Sequence, residues 1–257
     1  MKKTVFDLWE KTPGMCQEIP RITAYEPDEK RCDGAVVIYP GGGYNMRAAH
    51  EGEGYALFFA AHGITSFVCD YRVNPHTYPL PMLDARRAVR FVRYHAAEYG
   101  IRKDRIMVMG SSAGGHLAAV TSTHMVPLEG EGVDDIDREE FRPNGQILCY
   151  AATQITRMYN AYELSPDKNV LMSLCADLVA DEHTPPAFIW HTFDDPVVDV
   201  TQVLEYAKRL KLYGVETEMH IYPHGRHGLG LSQDEPYVAD WSRELLRWLG
   251  RSWNAAL

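Results

Sequence analysis

Two patterns of apolar residues alternate along the chain. The first is a short run with few polar interruptions, at 21–25, 35–39, 65–71, 105–109, 146–151, 187–192 and 217–222. Several of these runs, AVVIY, IMVM and ILCYA among them, are nearly unbroken, as in parallel strands covered on both faces. The second is a longer stretch with apolar residues three or four apart, at 51–62, 82–99, 113–124, 201–213 and 236–253. Within 82–99 the residues Ala85, Ala88, Val89, Val92 and Ala96 share one helical face, and Tyr99-Gly100 supplies a stop.

Repeated strand–helix–strand units imply right-handed crossovers and predict an α/β fold of three layers. A mostly parallel central sheet is expected, with helices on both faces. The segment 127–143 is acidic and aperiodic and reads as a surface loop. The segment 153–186 reads as a short cap-like excursion that walls a pocket. No repeat or linker interrupts the pattern, so a single domain over 1–257 is expected.

Composition narrows the function more than the fold. A hydrophobic share of 46% gives ample core. The formal charge of −9 argues against nucleic acid and anionic membranes as partners, since both want a basic face. The five cysteines, Cys16, Cys32, Cys69, Cys149 and Cys175, are scattered without a CxxC pair, so no metal site or disulfide framework is expected. At the N-terminus Lys2 and Lys3 are followed by Asp7, Glu10 and Lys11 rather than an apolar core, and no apolar segment is long enough to span a bilayer. The compartment expected is the cytoplasm. The sequence leaves a homo-oligomer open.

Candidate chemistry lies at the ends of the predicted strands. Gly110-x-Ser112-x-Gly114 follows one strand and opens a helix, the context a nucleophile elbow requires. There the backbone turns sharply enough to lift the Ser112 hydroxyl above the sheet edge, and the Ala113 N–H at the helix start faces an incoming carbonyl. Ser111 lacks the flanking glycines and is expected to point elsewhere. After the AVVIY strand comes Pro40-Gly41-Gly42-Gly43-Tyr44, where missing side chains free backbone N–H groups to stabilise a developing oxyanion. Gly42 and Gly43, with Ala113, are assigned as donors; which of glycines 41–43 leads is left open. No GK[ST] or GxGxxG follows, which sets a phosphate loop aside.

A serine needs a base and a group to orient that base. In this architecture the base comes last in the chain, after the strand at 217–222, where His224 and His227 stand. His227, among glycines, is preferred, with His224 as the alternative. The acid is expected beyond the strand at 187–192, where Asp194, Asp195 and Asp199 cluster. Asp195, stiffened by Pro196, is chosen over Asp194. Tyr44 and His116, with Arg72, lie near these motifs and are candidate pocket residues; a structural role is the preferred reading of each, with His116 packing on the elbow helix and Arg72 bridging loops.

Taken together, PGGGY (40–44), YRV (71–73), YPLPMLDARRAVRFVR (78–93), GSSAGGHLAA (110–119), TPPAFIWHTFDDPVV (184–198) and HGRHGLGL (224–231) resemble the α/β-hydrolase-fold esterases and lipases, in the branch of acetyl xylan esterase-like carbohydrate esterases. The resemblance covers nearly the whole chain and departs at Pro40, where many relatives carry His. It implies Ser112 as nucleophile, Asp195 as triad acid and His227 as base, with neither metal nor organic cofactor. It also implies hydrolysis of short-acyl esters, the deacetylation of acetylated sugars or xylo-oligosaccharides above all, with a small-molecule or oligosaccharide ester as substrate. The excursion holds Lys168 and several acidic residues instead of an apolar lid, which disfavours long-chain triglycerides. A general or feruloyl-type carboxylesterase, and a non-catalytic binding protein on the same fold, are the alternatives.

Overall fold

Among the residues described by the computed structural model, 1–14 and 18–257, eight strands form one sheet; Cys16 lies outside them. The strands are β1 (Lys2–Asp7), β2 (Arg21–Glu26), β3 (Ala35–Tyr39), β4 (Thr65–Asp70), β5 (Ile106–Ser111), β6 (Gly145–Cys149), β7 (Ala187–Thr192) and β8 (Thr217–Tyr222). Their spatial order is β1-β2-β4-β3-β5-β6-β7-β8. The β1–β2 and β2–β4 pairs are antiparallel and the others, from β4–β3 to β7–β8, parallel.

The helices are α1 (Ala49–Ala61), α2 (Leu80–Tyr94), α3 (Ala113–Thr123), α4 (Ala161–Leu164), α5 (Lys168–Ser173), α6 (Ala176–Val179), α7 (Thr201–Leu212) and α8 (Pro236–Trp253). Side-chain alternation along each strand divides the core in two. Ala35, Val37 and Tyr39 of β3 face α2, α3 and α7, whereas Val36 and Ile38 face α1 and α8. On the second face Trp190 of β7 stacks on Trp241 of α8 with ring centroids 4.7 Å apart. No helix among the described residues is long and apolar enough to cross a membrane.

Two elements differ from the sequence expectation. β1 is not anticipated: it is an edge strand with Lys2 and Lys3 exposed and Val5 half out of the core, so it carries no apolar run. α2 ends at Tyr94, not Tyr99, and residues 95–100 continue as turns. Ala96 and Tyr99 remain buried there, so the apolar spacing persists after the helical backbone has stopped. The acidic segment 127–143 is irregular apart from one short turn (Ile136–Arg138), but its carboxylates are not simply solvated. Glu131 pairs with Arg86 at 2.9 Å, and Asp134 and Asp137 pair with Arg87 at 2.5 and 2.9 Å. These acids compensate arginines that α2 buries.

The parallel strands end at one edge of the sheet. The loops following β3, β5, β6, β7 and β8 meet there, the usual place for a site in an open α/β sheet.

Candidate active site

Ser112 joins β5 to α3 in a backbone conformation, φ 52° and ψ −118°, that side-chain-bearing residues rarely adopt. Its neighbours explain how the chain fits. A Cβ on Gly110 would lie 2.0 Å from the Gly114 carbonyl oxygen, and one on Gly114 would lie 2.0 Å from that of Tyr39. Both positions require glycine because strand and helix approach so closely. Ser111 points away, its hydroxyl 2.9 Å from that of Tyr55.

The structure brings Ser112, His227 and Asp195 into one hydrogen-bonded row. Ser112 Oγ lies 2.8 Å from His227 Nε2, and His227 Nδ1 lies 2.7 Å from Asp195 Oδ2. The Asp195 side chain is fully buried. Burial raises its pKa, but the His227 hydrogen bond and the N–H groups of Val197 and Val198, at 2.8 and 3.0 Å, outweigh that and hold the carboxyl below the usual carboxylate range. An ionised Asp195 only accepts, so Nδ1 of His227 carries the proton and Nε2 is free to accept one from Ser112.

Asp194 and His224 pair with each other instead, Oδ2 to Nδ1 at 2.8 Å, out in solvent. Asp199 binds the hydroxyl and N–H of Thr201 at the start of α7.

In the glycine loop the three residues are not equivalent. Gly41 N–H donates to Glu51 Oε2 at 2.8 Å. Gly42 and Gly43 adopt φ values of 133° and 62°, and their N–H groups have no acceptor among the described residues. Ala113, first residue of α3, has no intrahelical acceptor either. Three free donors therefore border the serine, and each could receive a developing negative charge.

Glu51 and Tyr150 were not singled out from the sequence. Glu51 is almost completely buried, and its second oxygen accepts from the Tyr150 hydroxyl at 2.5 Å. That hydroxyl accepts the Gly230 N–H at 3.0 Å, and the Tyr150 ring lies edge-on to the His227 ring at 5.1 Å. A hydrogen-bonded chain thus links the glycine loop to the histidine loop. Helical spacing contains the signal: Glu51 stands four and eight residues before Tyr55 and Phe59 on the buried face of α1.

The pocket assignment of Tyr44 and His116 is corrected. Both are buried and neither lines the cleft. The Tyr44 ring packs edge-on against Tyr71, and its hydroxyl donates to His116 Nδ1 at 2.6 Å; His116 Nε2–H donates to the Leu174 carbonyl at 2.8 Å. Burial pushes the His116 pKa down to about 4, so the ring is neutral. Arg72 is likewise internal, forked onto Asp84 with both contacts at 2.8 Å. The cleft of about 500 Å³ around Ser112 and His227 is instead walled by Met46, His50, Arg157, Tyr159, Val197 and Gln202 among others.

A mostly parallel sheet flanked by helices, with a strained serine at one strand end and a histidine–aspartate pair at two others, is an α/β-hydrolase. The BD-FAE family model matches residues 23–210, and the chain belongs to that family. It is 31% identical to endo-1,4-beta-xylanase B of Butyrivibrio fibrisolvens, over 87% of this chain and 36% of that protein. It is also 31% identical to the acetylxylan esterase of Xylanibacter ruminicola, over 84% of this chain and 45% of that protein. The chain therefore spans less than half the length of either relative. The crystal structure of an acetyl ester-xyloside bifunctional hydrolase from Caldicellulosiruptor lactoaceticus superposes with a TM-score of 0.90 at 36% identity, covering 96% of both chains.

Proposed function

We propose that the protein is a serine carboxylic-ester hydrolase that removes short acyl groups, acetyl above all, from acetylated sugars and xylo-oligosaccharides. The observation that carries the reading is the row Ser112 Oγ–His227 Nε2 and His227 Nδ1–Asp195 Oδ2, at 2.8 and 2.7 Å, beside unoccupied backbone donors. The names of the acetylxylan esterase and acetyl ester-xyloside hydrolase relatives support the substrate class.

In the first half-reaction Ser112 Oγ attacks the ester carbonyl carbon and its proton passes to His227 Nε2. The carbonyl oxygen becomes an oxyanion held by the N–H groups of Gly42, Gly43 and Ala113. Loss of one such donor typically costs about 3 kcal/mol of transition-state stabilisation. The alcohol then leaves with the proton from His227. In the second half-reaction water gives a proton to His227 and attacks the acyl carbon, and the carboxylic acid departs as Ser112 recovers its proton. Asp195 fixes the imidazole tautomer and stabilises its charged form.

A fluorophosphonate probe tests the reading directly. The expected result is one covalent adduct on Ser112, absent in Ser112→Ala, with a p-nitrophenol burst from p-nitrophenyl acetate and acetate release from acetylated xylo-oligosaccharides. An intact protein that takes no label and shows no burst is a binding protein on this fold. Faster turnover of feruloyl or longer acyl esters would replace the acetyl assignment.

A further inference from the structure

The ester carbonyl and an acetyl group occupy only a fraction of a cleft of about 500 Å³. Two side chains in its wall, Tyr159 and Gln202, each keep a polar group without a partner among the described residues. Tyr159 is 85% exposed, although it borders the cleft, and its hydroxyl has no hydrogen-bond partner among the described residues. The segment carrying it is nonetheless pinned: the Asn160 side chain donates to the Gly43 carbonyl, and Met158 N–H donates to Ile155 at 3.0 Å. The Tyr159 hydroxyl stands 3.6 Å from where a side chain on Gly43 would begin, so this tyrosine rises directly beside the glycine loop.

Gln202, near the start of α7, is 3% exposed. Its Oε1 accepts the Gln154 N–H at 3.1 Å, which fixes the amide's orientation, and its Nε2 has no acceptor among the described residues. That nitrogen is not among the fully buried side-chain atoms left without a partner, so it keeps contact with solvent, and a ligand that displaces the water must itself supply an acceptor. An alkyl chain in the cleft would leave it unpaired; a polyhydroxylated ring would not. The C–H face of a pyranose in turn matches the negative face of an aromatic ring.

We propose that Tyr159 and Gln202 form a saccharide subsite for the alcohol portion of the substrate, the Tyr159 ring stacking on a pyranose while Gln202 Nε2 donates to one of its hydroxyls. The proposal rests on the esterase reading for its substrate class. It makes the ring of Tyr159, not its hydroxyl, the selective element.

The test compares kcat/KM for acetylated xylotriose with that for p-nitrophenyl acetate in each protein. Tyr159→Ala is expected to lower this ratio about tenfold through KM, and Tyr159→Phe to keep it. Gln202→Glu, which still accepts from Gln154 but donates nothing, is expected to lower it severalfold. A ratio that stays within twofold in Tyr159→Ala, or falls equally in Tyr159→Phe, overturns the proposal. Calorimetric titration of unacetylated xylotriose into Ser112→Ala and Ser112→Ala/Tyr159→Ala provides a readout independent of turnover. Binding that needs Tyr159 supports the subsite even if wild type hydrolyses no ester, an outcome that would sink the esterase reading alone. Equal binding by both proteins overturns the subsite.

Discussion

Two imidazole–carboxylate pairs lie at the ends of β7 and β8, built from adjacent aspartates and from histidines three residues apart. His224–Asp194 and His227–Asp195 are each hydrogen-bonded through Nδ1, at 2.8 and 2.7 Å. In both, the carboxyl is held below its usual range: for Asp194 chiefly by the His224 hydrogen bond, for Asp195 by that of His227 against the opposing effect of burial. What separates them is surroundings. The Asp195 carboxylate is enclosed and its histidine meets a serine on the far side, whereas His224 is 85% exposed. The two pairs are chemically alike, and enclosure and a third group are what set His227–Asp195 apart.

The sharpest way to break this comparison is to remove each pair in turn. Ser112→Ala or His227→Ala should lower kcat on p-nitrophenyl acetate by at least roughly 10³-fold, and Asp195→Asn by a comparable factor. His224→Ala and Asp194→Asn should change it less than about twofold. Comparable losses from the two pairs would mean that the exposed one takes part in the chemistry.

Glu51→Gln should cost less, roughly 10- to 100-fold in kcat with KM little altered, because it loosens the donor loop without removing a donor. Its melting temperature should also fall, since one of the two buried oxygens that accept from the Gly41 N–H and the Tyr150 hydroxyl becomes an amide donor. A rise confined to KM would contradict a role in holding the glycine loop.

Enclosure also governs a third imidazole. His116 has a folded-state pKa of about 4, below the value near 6.5 expected in the unfolded chain. The unfolded state thus binds more protons between those values. Its stabilising contribution is complete above about pH 6.5 and is lost as pH falls towards 4, by up to about 3 kcal/mol. Urea unfolding at pH 7, 5.5 and 4.5 measures this, and His116→Gln should flatten the profile. A wild-type stability unchanged over that range would refute it. The smallest effect belongs to the exposed pair: a double-mutant cycle on Asp194 and His224 should show no measurable coupling in thermal stability at physiological salt.

The sheet's parallel core was legible because β3, β5 and β6 are buried on both faces and so carry apolar runs with few polar interruptions. β1 was not, because an edge strand half in solvent keeps its lysines. Ser112, Asp195 and His227 could be picked out because glycines and strand ends mark such positions in one dimension. Tyr159 and Gln202 could not: their interest comes from exposure and from an amide held in one orientation, both of which exist only after folding. Tyr44 and His116 show the converse error, since nearness in sequence to a reactive motif does not put a side chain in its cleft.

Ser112 and His227 are 115 residues apart, and the histidine follows β8, the edge strand opposite β1, which is only partly buried along its length. Edge strands open at lower free energy than the centre of a sheet. Warming or mild denaturant should therefore silence the protein while most of its sheet persists, so that activity reports the integrity of the last strand rather than of the whole molecule.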